Sequence, residues 1–300
     1  MWPPCTRCWA IHSRLALGTV QFGLPYGIAN QTGQISQVDA AAILACASAA
    51  GLDTLDTASA YGESERRLGE IGVARWQIVS KLPVAIESAP DVRRWVRDSA
   101  QHTLERLRVP KLRGLLLHRS EQLLGPHGEA LHEALLELKT QGTVEKVGIS
   151  IYDPAELEAL VPRFHLDLVQ APFSVLDRRL ASSGWLARLH RAGIEVHIRS
   201  VFLQGLLLMD RLNRPAAFAK WGLLWEAWHQ WLDERALTPL QACLGFALSR
   251  PEIERVIVGV DSVAHLRDIV NAAQGSFLPV PDSLSSEDPF LINPANWALR

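Results

Sequence analysis

After residue 14, short apolar runs alternate with helical patterns throughout the sequence. The apolar runs occupy residues 15–20, 54–58, 76–81, 114–118, 147–151, 166–170, 194–200 and 256–260. The helical patterns occupy residues 36–50, 63–71, 91–107, 127–139, 154–160, 182–191, 239–248 and 262–272. Eight strand–helix units at short, regular spacing are typical of a closed (β/α)₈ barrel. A doubly wound open sheet is the alternative, but no Gly-x-Gly-x-x-Gly follows the first strand.

We therefore predict an α/β protein with one domain, a (β/α)₈ TIM barrel over residues 15–275. Residues 1–14 are expected to form an irregular extension. Residues 276–300 are expected to form a tail that either crosses the barrel mouth or packs outside it. Cys5 and Cys8 have the spacing of half a zinc site or a redox pair. Because no second pair of suitable spacing follows, we predict no metal site.

The composition argues against several functional classes. A net charge of -2 and a pI near 6.6 give no reason to expect nucleic acid or an anionic membrane as a partner. No apolar stretch reaches the ~18 residues that span a bilayer. The first fourteen residues lack the pattern of a signal peptide. These features favour a cytoplasmic protein, monomeric by default, that acts on a small molecule.

Ionisable side chains stand at the ends of three successive predicted strands. Asp56 ends the second strand and Tyr61 lies in the loop beyond it, while Lys81 and His118 end the third and fourth strands. A (β/α)₈ barrel carries its active site at these strand ends. A phenol beside an ammonium group, with a histidine nearby, is suited to delivering a proton to a carbonyl oxygen. None of these residues supplies a hydride, so a reduction would require a nicotinamide cofactor.

The motif Asp56-Thr57-Ala58-x-x-Tyr61-Gly62-x-Ser64-Glu65, together with Lys81 and His118, resembles the Asp/Tyr/Lys/His tetrad of the aldo-keto reductase family. Further landmarks follow in order over residues 14–273, among them Leu17-Gly18-Thr19, Gly148-Ile149-Ser150 and Gln204-Gly205-Leu206. The resemblance implies reversible NAD(P)H-dependent reduction of aldehydes or ketones without a metal. It also implies that Tyr61 donates the proton, Lys81 lowers the pKa of Tyr61, Asp56 supports Lys81 and His118 orients the carbonyl.

The resemblance also implies the cofactor contacts, with NADPH expected first and NADH as the alternative. These contacts are Gly18, Thr19, Ser150, Gln170, Arg199, Ser200, Phe202, Gln204, Gly205, Gly259, Asp261, Ser262 and His265. Three positions depart from the family pattern. Ile151 follows Ser150 where the family usually has Asn, so Ser150 and Gln170 are the expected contacts to the nicotinamide amide. Arg199 replaces an aromatic residue that usually stacks on the nicotinamide, and a guanidinium there is expected to favour the reduced cofactor. Asp261 would repel a 2′-phosphate and accept from a free ribose hydroxyl, unless Asp261 and Ser262 only cap the last helix.

Four aromatic residues, Phe22, Tyr26, Trp221 and Trp225, are candidate substrate contacts, although the tryptophans lie on a helical stripe that is also typical of core packing. Resemblance to a bacterial branch linked to surface-polysaccharide genes suggests a sugar-derived carbonyl. Two alternative functions stay open. The first is a cofactor-binding regulatory protein with little turnover, and the second is a sugar-modifying enzyme that uses bound cofactor transiently.

Overall fold

The computed structural model describes residues 14–84, 91–275 and 278–297. Cys5, Cys8 and most of the expected N-terminal extension lie outside this part of the chain. Arg14, which was expected to belong to the irregular extension, is fixed against the end of the barrel. Its guanidinium donates to the carbonyl oxygens of Leu248 at 2.8 Å and Ile253 at 2.8 Å. Arg14 therefore packs against the barrel, whose first strand begins at Leu15.

Eight parallel strands close into a barrel in which each strand pairs with the next and the eighth pairs with the first. The strands are β1 Leu15–Gly18, β2 Thr54–Asp56, β3 Gln77–Leu82, β4 Leu112–Leu117, β5 Val144–Ser150, β6 Leu168–Pro172, β7 Glu195–Arg199 and β8 Arg255–Gly259. Their residues are mostly buried on both faces, because side chains fill the interior and helices cover the outside. The predicted single-domain (β/α)₈ barrel is confirmed.

Helices connect the strands. They are α1 Gln37–Ala49, α2 Ser64–Ile71, α3 Val92–Leu107, α4 Gly128–Thr140, α5 Glu156–Leu160, α6 Trp185–Arg191, α7 Gly222–Arg235, α8 Pro239–Leu248 and α9 Val263–Ala272. Single helical turns are found at Val20–Gly23, Arg179–Ser182 and Pro289–Ile292. Short 3₁₀ segments are found at Ser120–Leu124, Leu203–Leu208, Ala216–Trp221, Asp282–Leu284 and Pro294–Asn296.

Side-chain caps fix the starts of several helices. Ser36, Asp91, Thr238 and Ser262 each accept a hydrogen bond from the backbone N–H three residues later. Each bond satisfies an N–H that has no partner within its helix. Ser262 is therefore the N-cap of the helix after β8, which begins at Val263.

Several predicted elements differ from the structure in their bounds, and two of the differences have a clear backbone cause. The helix predicted over residues 182–191 is broken at Gly184, whose φ of 79° lies in the left-handed region. This backbone conformation separates the turn Arg179–Ser182 from α6. The first strand ends at Gly18 rather than at residue 20, because Val20–Gly23 turns back as a helical turn. That turn becomes part of the site.

The C-terminal tail packs against the segment that carries the tryptophans. Trp297 meets Phe218 edge-on with ring centroids 5.0 Å apart, and the indole N–H of Trp221 donates to Asp288 at 3.1 Å. The tail residues 278–297 do not line the large cavity at the barrel mouth. The tail also contacts the loop after β6, where the N–H of Ser286 donates to the carbonyl oxygen of Leu176 at 2.8 Å and Arg178 donates to the carbonyl oxygen of Pro281 at 2.7 Å.

Candidate active site

Lys81 and Asp56 form a buried ion pair at the carboxyl ends of β3 and β2. The ammonium group lies 2.8 Å from both carboxylate oxygens of Asp56 and 3.0 Å from the carbonyl oxygen of Thr57. Lys81 is 1% exposed and Asp56 is 4% exposed. A buried charge is stable only when it is paired and hydrogen-bonded, and these three oxygen atoms meet that condition for the ammonium group. Burial opposes the charge, but Asp56 and Tyr61 outweigh it and raise the pKa of Lys81.

Tyr61 lies directly beside this pair. The Lys81 ammonium group is 5.2 Å from the centroid of the Tyr61 ring. Burial raises the pKa of the Tyr61 phenol, and the positive charge of Lys81 lowers it. The effect of Lys81 has the sign that the family resemblance implied, but burial is the larger effect and the pKa is raised overall. The phenol is therefore protonated at neutral pH and is available as a proton donor.

His118 follows β4 and faces Tyr61. Their rings meet edge-on with centroids 6.0 Å apart. Burial, together with the positive charges of Lys81, Arg199 and Arg119, lowers the pKa of His118 to about 4. The imidazole is therefore neutral at neutral pH and has one N–H to donate. The structure thus brings together Asp56, Tyr61, Lys81 and His118, as the sequence predicted.

Glycine contacts hold the loop that carries Tyr61. The turn Val20–Gly23 lies against this loop so closely that a Cβ atom on Gly23 would be 1.7 Å from the carbonyl oxygen of Tyr61. A Cβ atom on Gly62, whose φ is 53°, would be 2.6 Å from the carbonyl oxygen of Gly23. Both positions require glycine because the two backbones are in direct contact.

A network of buried hydroxyl groups joins the same loops. Ser64 donates to the carbonyl oxygen of Thr19 at 2.9 Å, lies 3.0 Å from its hydroxyl and lies 3.2 Å from the hydroxyl of Thr57. The Thr19 hydroxyl donates to the carbonyl oxygen of Asp56 at 3.0 Å. This network ties β1 and the start of α2 to the strand end that holds Asp56. Thr57 and Ser64 belong to the family motif and Thr19 was predicted as a cofactor contact, but the bonds among their hydroxyl groups were not predicted.

The tetrad lines a cavity of about 690 Å³ at the barrel mouth. Twelve predicted cofactor contacts also line this cavity: Gly18, Thr19, Ser150, Gln170, Arg199, Ser200, Phe202, Gln204, Gly205, Gly259, Asp261 and His265. Ser262 is not among the lining residues, and its side chain caps α9 instead. The cavity therefore contains most of the predicted contacts on β1, β5, β6, β7 and β8.

Only one of the four candidate substrate contacts lines the cavity. Tyr26 does so, and its hydroxyl accepts from Gln204 at 3.2 Å. Phe22 is fully buried in the core, because the turn Val20–Gly23 directs it inward. Trp225 is 5% exposed and donates to the carbonyl oxygen of Phe218, while Trp221 contacts the tail. Phe22, Trp221 and Trp225 therefore belong to the packing and are withdrawn as substrate contacts.

The residues present fit a nicotinamide dinucleotide. The side-chain N–H of Gln170 donates to Asp56 at 2.7 Å, whereas its buried oxygen has no partner in the described part of the chain. An unpaired buried acceptor at the cavity wall matches the amide N–H₂ of a nicotinamide. After β7, the backbone has positive φ at Ser200, Leu203, Gln204 and Gly205. Within this segment the N–H groups of Leu203 and Gly205 donate to the carbonyl oxygens of Ser200 at 2.9 Å and Phe202 at 3.0 Å.

Arg199 lines the cavity and lies against the ring of Tyr152. Its guanidinium carbon is 4.6 Å from the centroid of the Tyr152 ring, and it donates to the carbonyl oxygen of Ile151 at 2.9 Å. Sequence reasoning missed Tyr152 because this residue follows the strand that carries Ser150 and belongs to no motif. It also missed other lining residues: Gln21, Val201, Leu208, Met209, Thr238, Pro239, Leu240, Ile257, Asp268 and Ile269.

Two negative findings concern only the described residues. No group of three or more His, Cys, Asp or Glu side chains among residues 14–84, 91–275 and 278–297 could hold a metal ion. Within the same ranges, no helix combines the length and the apolar character that crossing a membrane requires.

The barrel with this tetrad at its mouth defines an oxidoreductase class that acts on carbonyl groups. The sequence profile of the aldo/keto reductase family matches residues 14–280, so the chain belongs to this family. It is 25% identical over 243 residues to the uncharacterized oxidoreductase YqkF of Bacillus subtilis strain 168, covering 74% of this chain and 78% of YqkF.

Solved structures agree with the fold. The aldo-keto reductase AKR11C1 from Bacillus halodurans, in its holo form, matches with a TM-score of 0.73 and 19% identity over 92% of this chain and 94% of that one. A putative aldo-keto reductase from Pseudomonas aeruginosa matches with a TM-score of 0.65 and 22% identity over 87% and 89% of the two chains. At these identities the structural likeness shows the fold alone.

Proposed function

We propose that the protein reduces an aldehyde or ketone to an alcohol with a hydride from NAD(P)H and a proton from Tyr61. The observation that carries this proposal is the buried Lys81–Asp56 pair beside Tyr61, with both carboxylate oxygens 2.8 Å from the ammonium group. When bound, a reduced nicotinamide supplies the hydride that no residue of this chain can supply.

The side chains of the tetrad orient the substrate, donate the proton and stabilise the resulting charge. The neutral imidazole of His118 donates a hydrogen bond to the carbonyl oxygen and orients the substrate. The oxygen takes the phenolic proton of Tyr61, and the charge of Lys81 stabilises the phenolate that remains. Asp56 keeps Lys81 charged and fixed in place, because its carboxylate accepts two hydrogen bonds from the ammonium group. Burial of the site strengthens each of these electrostatic interactions.

The charges on the β8 side of the cavity bear on the choice of cofactor. The charged groups that line this side are Asp261, His265 and Asp268. Burial raises the pKa of Asp261, and its carboxylate lies 3.4 Å from the side-chain nitrogen of Asn30. The family resemblance favours NADPH, whereas two carboxylates would repel its 2′-phosphate. We propose that this chain uses NADH in preference to NADPH.

We expect Asp261→Asn to improve the use of NADPH relative to NADH. Removing one negative charge should raise the NADPH-to-NADH ratio of kcat/KM by about tenfold, the equivalent of about 1.4 kcal/mol. Steady-state kinetics with each cofactor measure this ratio. Glu70→Gln is a suitable control, since this half-exposed carboxylate on α2 pairs with Arg66 on the outside of the barrel. A wild-type preference for NADPH that Asp261→Asn leaves unchanged would contradict the assignment.

Absorbance of the reduced nicotinamide tests the function itself. NADH and NADPH are each supplied with a panel of aldehydes, ketones and sugar-derived carbonyl compounds, and oxidation of the cofactor is followed. The proposal predicts substrate-dependent oxidation of the cofactor with formation of the alcohol. Tight binding of the cofactor with negligible turnover across the panel would instead indicate a regulatory protein. Conversion of a sugar substrate without net oxidation of the cofactor would indicate transient use of bound cofactor.

A further inference from the structure

Two guanidinium groups lie against one aromatic ring beside the tetrad. The guanidinium carbon of Arg119 is 5.0 Å from the centroid of the Tyr152 ring, and that of Arg199 is 4.6 Å from the same centroid. Tyr152 and Arg199 line the cavity. Arg119 directly follows His118, and its side chain is 46% exposed. The three residues therefore form an Arg–Tyr–Arg cluster between the tetrad and solvent.

The positive charges of this cluster have little compensation within the described residues. Arg199 donates to the carbonyl oxygen of Ile151 at 2.9 Å and lies 3.4 Å from the hydroxyl of Ser200, and both acceptors are neutral. Arg119 lies 4.0 Å from Glu121, with both side chains about half exposed, a geometry that contributes little in water.

The carboxylates near the Arg–Tyr–Arg cluster already accept hydrogen bonds from other residues. Asp56 is held by Lys81 and by Gln170. Glu156 accepts from the backbone N–H groups of Tyr152 at 2.8 Å and Asp153 at 2.7 Å, and also from the hydroxyl of Ser120. These bonds fix the loop that carries Tyr152. The half of the cavity that receives the carbonyl therefore has a positive potential from Arg119 and Arg199. These charges add to burial, the larger cause, in lowering the pKa of His118.

We infer that the substrate is an aldehyde or ketone that bears a carboxylate, with Arg119 as the group that binds this carboxylate. This inference rests on the proposed reductase function. Arg119 follows His118 in sequence and does not itself line the cavity, but its guanidinium lies on the ring of Tyr152, which does. A carboxylate at the outer end of a substrate, directed toward solvent past Tyr152, would therefore meet it. The planar fork of a guanidinium group matches a carboxylate with two parallel hydrogen bonds. The Tyr152 ring limits the motion of both guanidinium groups, so less freedom is lost on binding.

Matched substrates test the inference. 4-Carboxybenzaldehyde and methyl 4-formylbenzoate have nearly the same shape and differ by one negative charge. We expect kcat/KM for the carboxylate to exceed that for the ester by about tenfold or more, the size of effect that one charge-assisted hydrogen bond produces. The ratio should fall as the ionic strength rises, because part of the attraction is long-range.

Arg119→Gln should bring this ratio to within about threefold of one, since the guanidinium charge is lost. Arg163→Gln is the matched control and should keep the wild-type ratio. Arg163 is also about half exposed and also lies on an aromatic ring, 5.1 Å from the centroid of Phe164. It follows α5 on the side of the barrel where β6 begins, away from the tetrad. Thermal unfolding of both variants shows whether the fold is retained.

A binding measurement separates this inference from the reductase proposal. Calorimetry compares benzoate with benzamide on the protein loaded with NAD⁺, and requires no turnover. Tighter binding of benzoate that Arg119→Gln abolishes would support the carboxylate site even if neither aldehyde is reduced. Equal binding of benzoate and benzamide would overturn the inference. A kinetic preference for the carboxylate over the ester that Arg119→Gln leaves unchanged would also overturn it. Reduction of the ester as fast as the carboxylate would overturn it while leaving the reductase proposal intact.

Discussion

At the scale of single residues, the chemistry depends on a lysine that is 1% exposed. A buried ammonium group is stable here because the carboxylate of Asp56 and the carbonyl oxygen of Thr57 accept hydrogen bonds from it. The same burial raises the pKa of Tyr61 and lowers that of His118. One environment therefore keeps both the proton donor and the orienting imidazole in their neutral forms.

These pKa shifts predict the pH dependence of reduction. The pKa of His118 is lowered to about 4, and that of Tyr61 is raised above its ordinary value of about 10. Neither group should ionise between about pH 5 and 9, so kcat/KM for reduction should be flat over this range. At higher pH, loss of the Tyr61 proton should lower the rate. A limb with a midpoint near the ordinary histidine pKa of about 6.5 that disappears in His118→Gln would contradict this assignment.

The tetrad was predictable from the sequence because parallel strands end at one rim of a barrel, and Asp56, Lys81 and His118 each end an apolar run. The unpaired oxygen of Gln170 and the position of Arg199 against Tyr152 were not predictable. They depend on which strands become neighbours and on side-chain conformations. The overall direction of the Tyr61 pKa shift could not be predicted from the sequence either, because it depends on how deeply the phenol is buried.

At the scale of structural elements, two turns hold the reacting side chain in position. The turn Val20–Gly23 and the loop containing Tyr61 meet backbone to backbone, with Gly23 and Gly62 at the contact. The hydroxyl groups of Thr19 and Ser64 join the same two turns. The position of Tyr61 is therefore set by contacts on both sides of the loop and not only by Lys81.

Gly23→Ala should impair catalysis. A Cβ atom at this position would be 1.7 Å from the carbonyl oxygen of Tyr61 and 2.7 Å from the backbone nitrogen of Ser64, so the loop must move. A displacement of about 1 Å at a reacting group costs about 100-fold in rate. We therefore expect a loss of kcat/KM of this size and a loss of about 2 kcal/mol in the free energy of unfolding.

Gly222→Ala is the control for this prediction. Gly222 begins α7 with helical φ and ψ, and a Cβ atom there would have no neighbour within 4 Å. For Gly222→Ala, the free energy of unfolding and the activation free energy derived from kcat/KM should each stay within about 0.5 kcal/mol of the wild-type values. Equal activity of both variants would contradict the role assigned to Gly23. Gly62 could be recognised from its motif, but Gly23 has no motif and was found only from the packing of the two turns.

At the scale of the whole molecule, a buried histidine, His197, lies within the barrel on β7. His197 is 3% exposed, and its Nε2 atom is 3.8 Å from Glu195. Glu195 also pairs with Arg113 on β4 and Lys146 on β5. Burial, followed by the positive charges of Arg255, Arg113, Lys146 and Lys81, lowers the pKa of His197 to about 3. The folded barrel therefore holds this imidazole in its neutral form.

His197 should make the barrel less stable in acid. In the unfolded chain a histidine takes up a proton near pH 6.5, whereas His197 in the folded state does so only near pH 3. The unfolded state binds more protons between these values, so this contribution to stability is full above about pH 6.5 and is lost as the pH falls. Between pH 7 and pH 5, the free energy of unfolding should fall by about 2 kcal/mol more in the wild type than in His197→Gln.

Chemical denaturation at the two pH values measures this difference, which does not depend on the absolute stability of the variant. His190→Gln is the control, because His190 lies exposed on α6, and it should keep the wild-type difference. An equal loss of stability in the wild type and His197→Gln would show that His197 does not cause the acid sensitivity.

The closed barrel was predictable because the hydrophobic pattern shows the number and spacing of the strand–helix units. The break at Gly184 and the packing of the tail were not predictable. A glycine in a helical pattern is compatible with either a continuous or a broken helix. The tail has no periodicity of its own, and its position depends on contacts such as that between Trp297 and Phe218.

The most direct test of the account is the rate of cofactor oxidation by Tyr61→Phe compared with the wild type. The substitution removes one hydroxyl group and keeps the ring that contacts His118. The account predicts that Tyr61→Phe binds the cofactor with wild-type affinity, measured by the quenching of tryptophan fluorescence. It also predicts that the variant loses at least about 100-fold in kcat, because general acid catalysis contributes about 10²–10⁴-fold. A variant that binds the cofactor normally and reduces the substrate at the wild-type rate would contradict the central role of Tyr61.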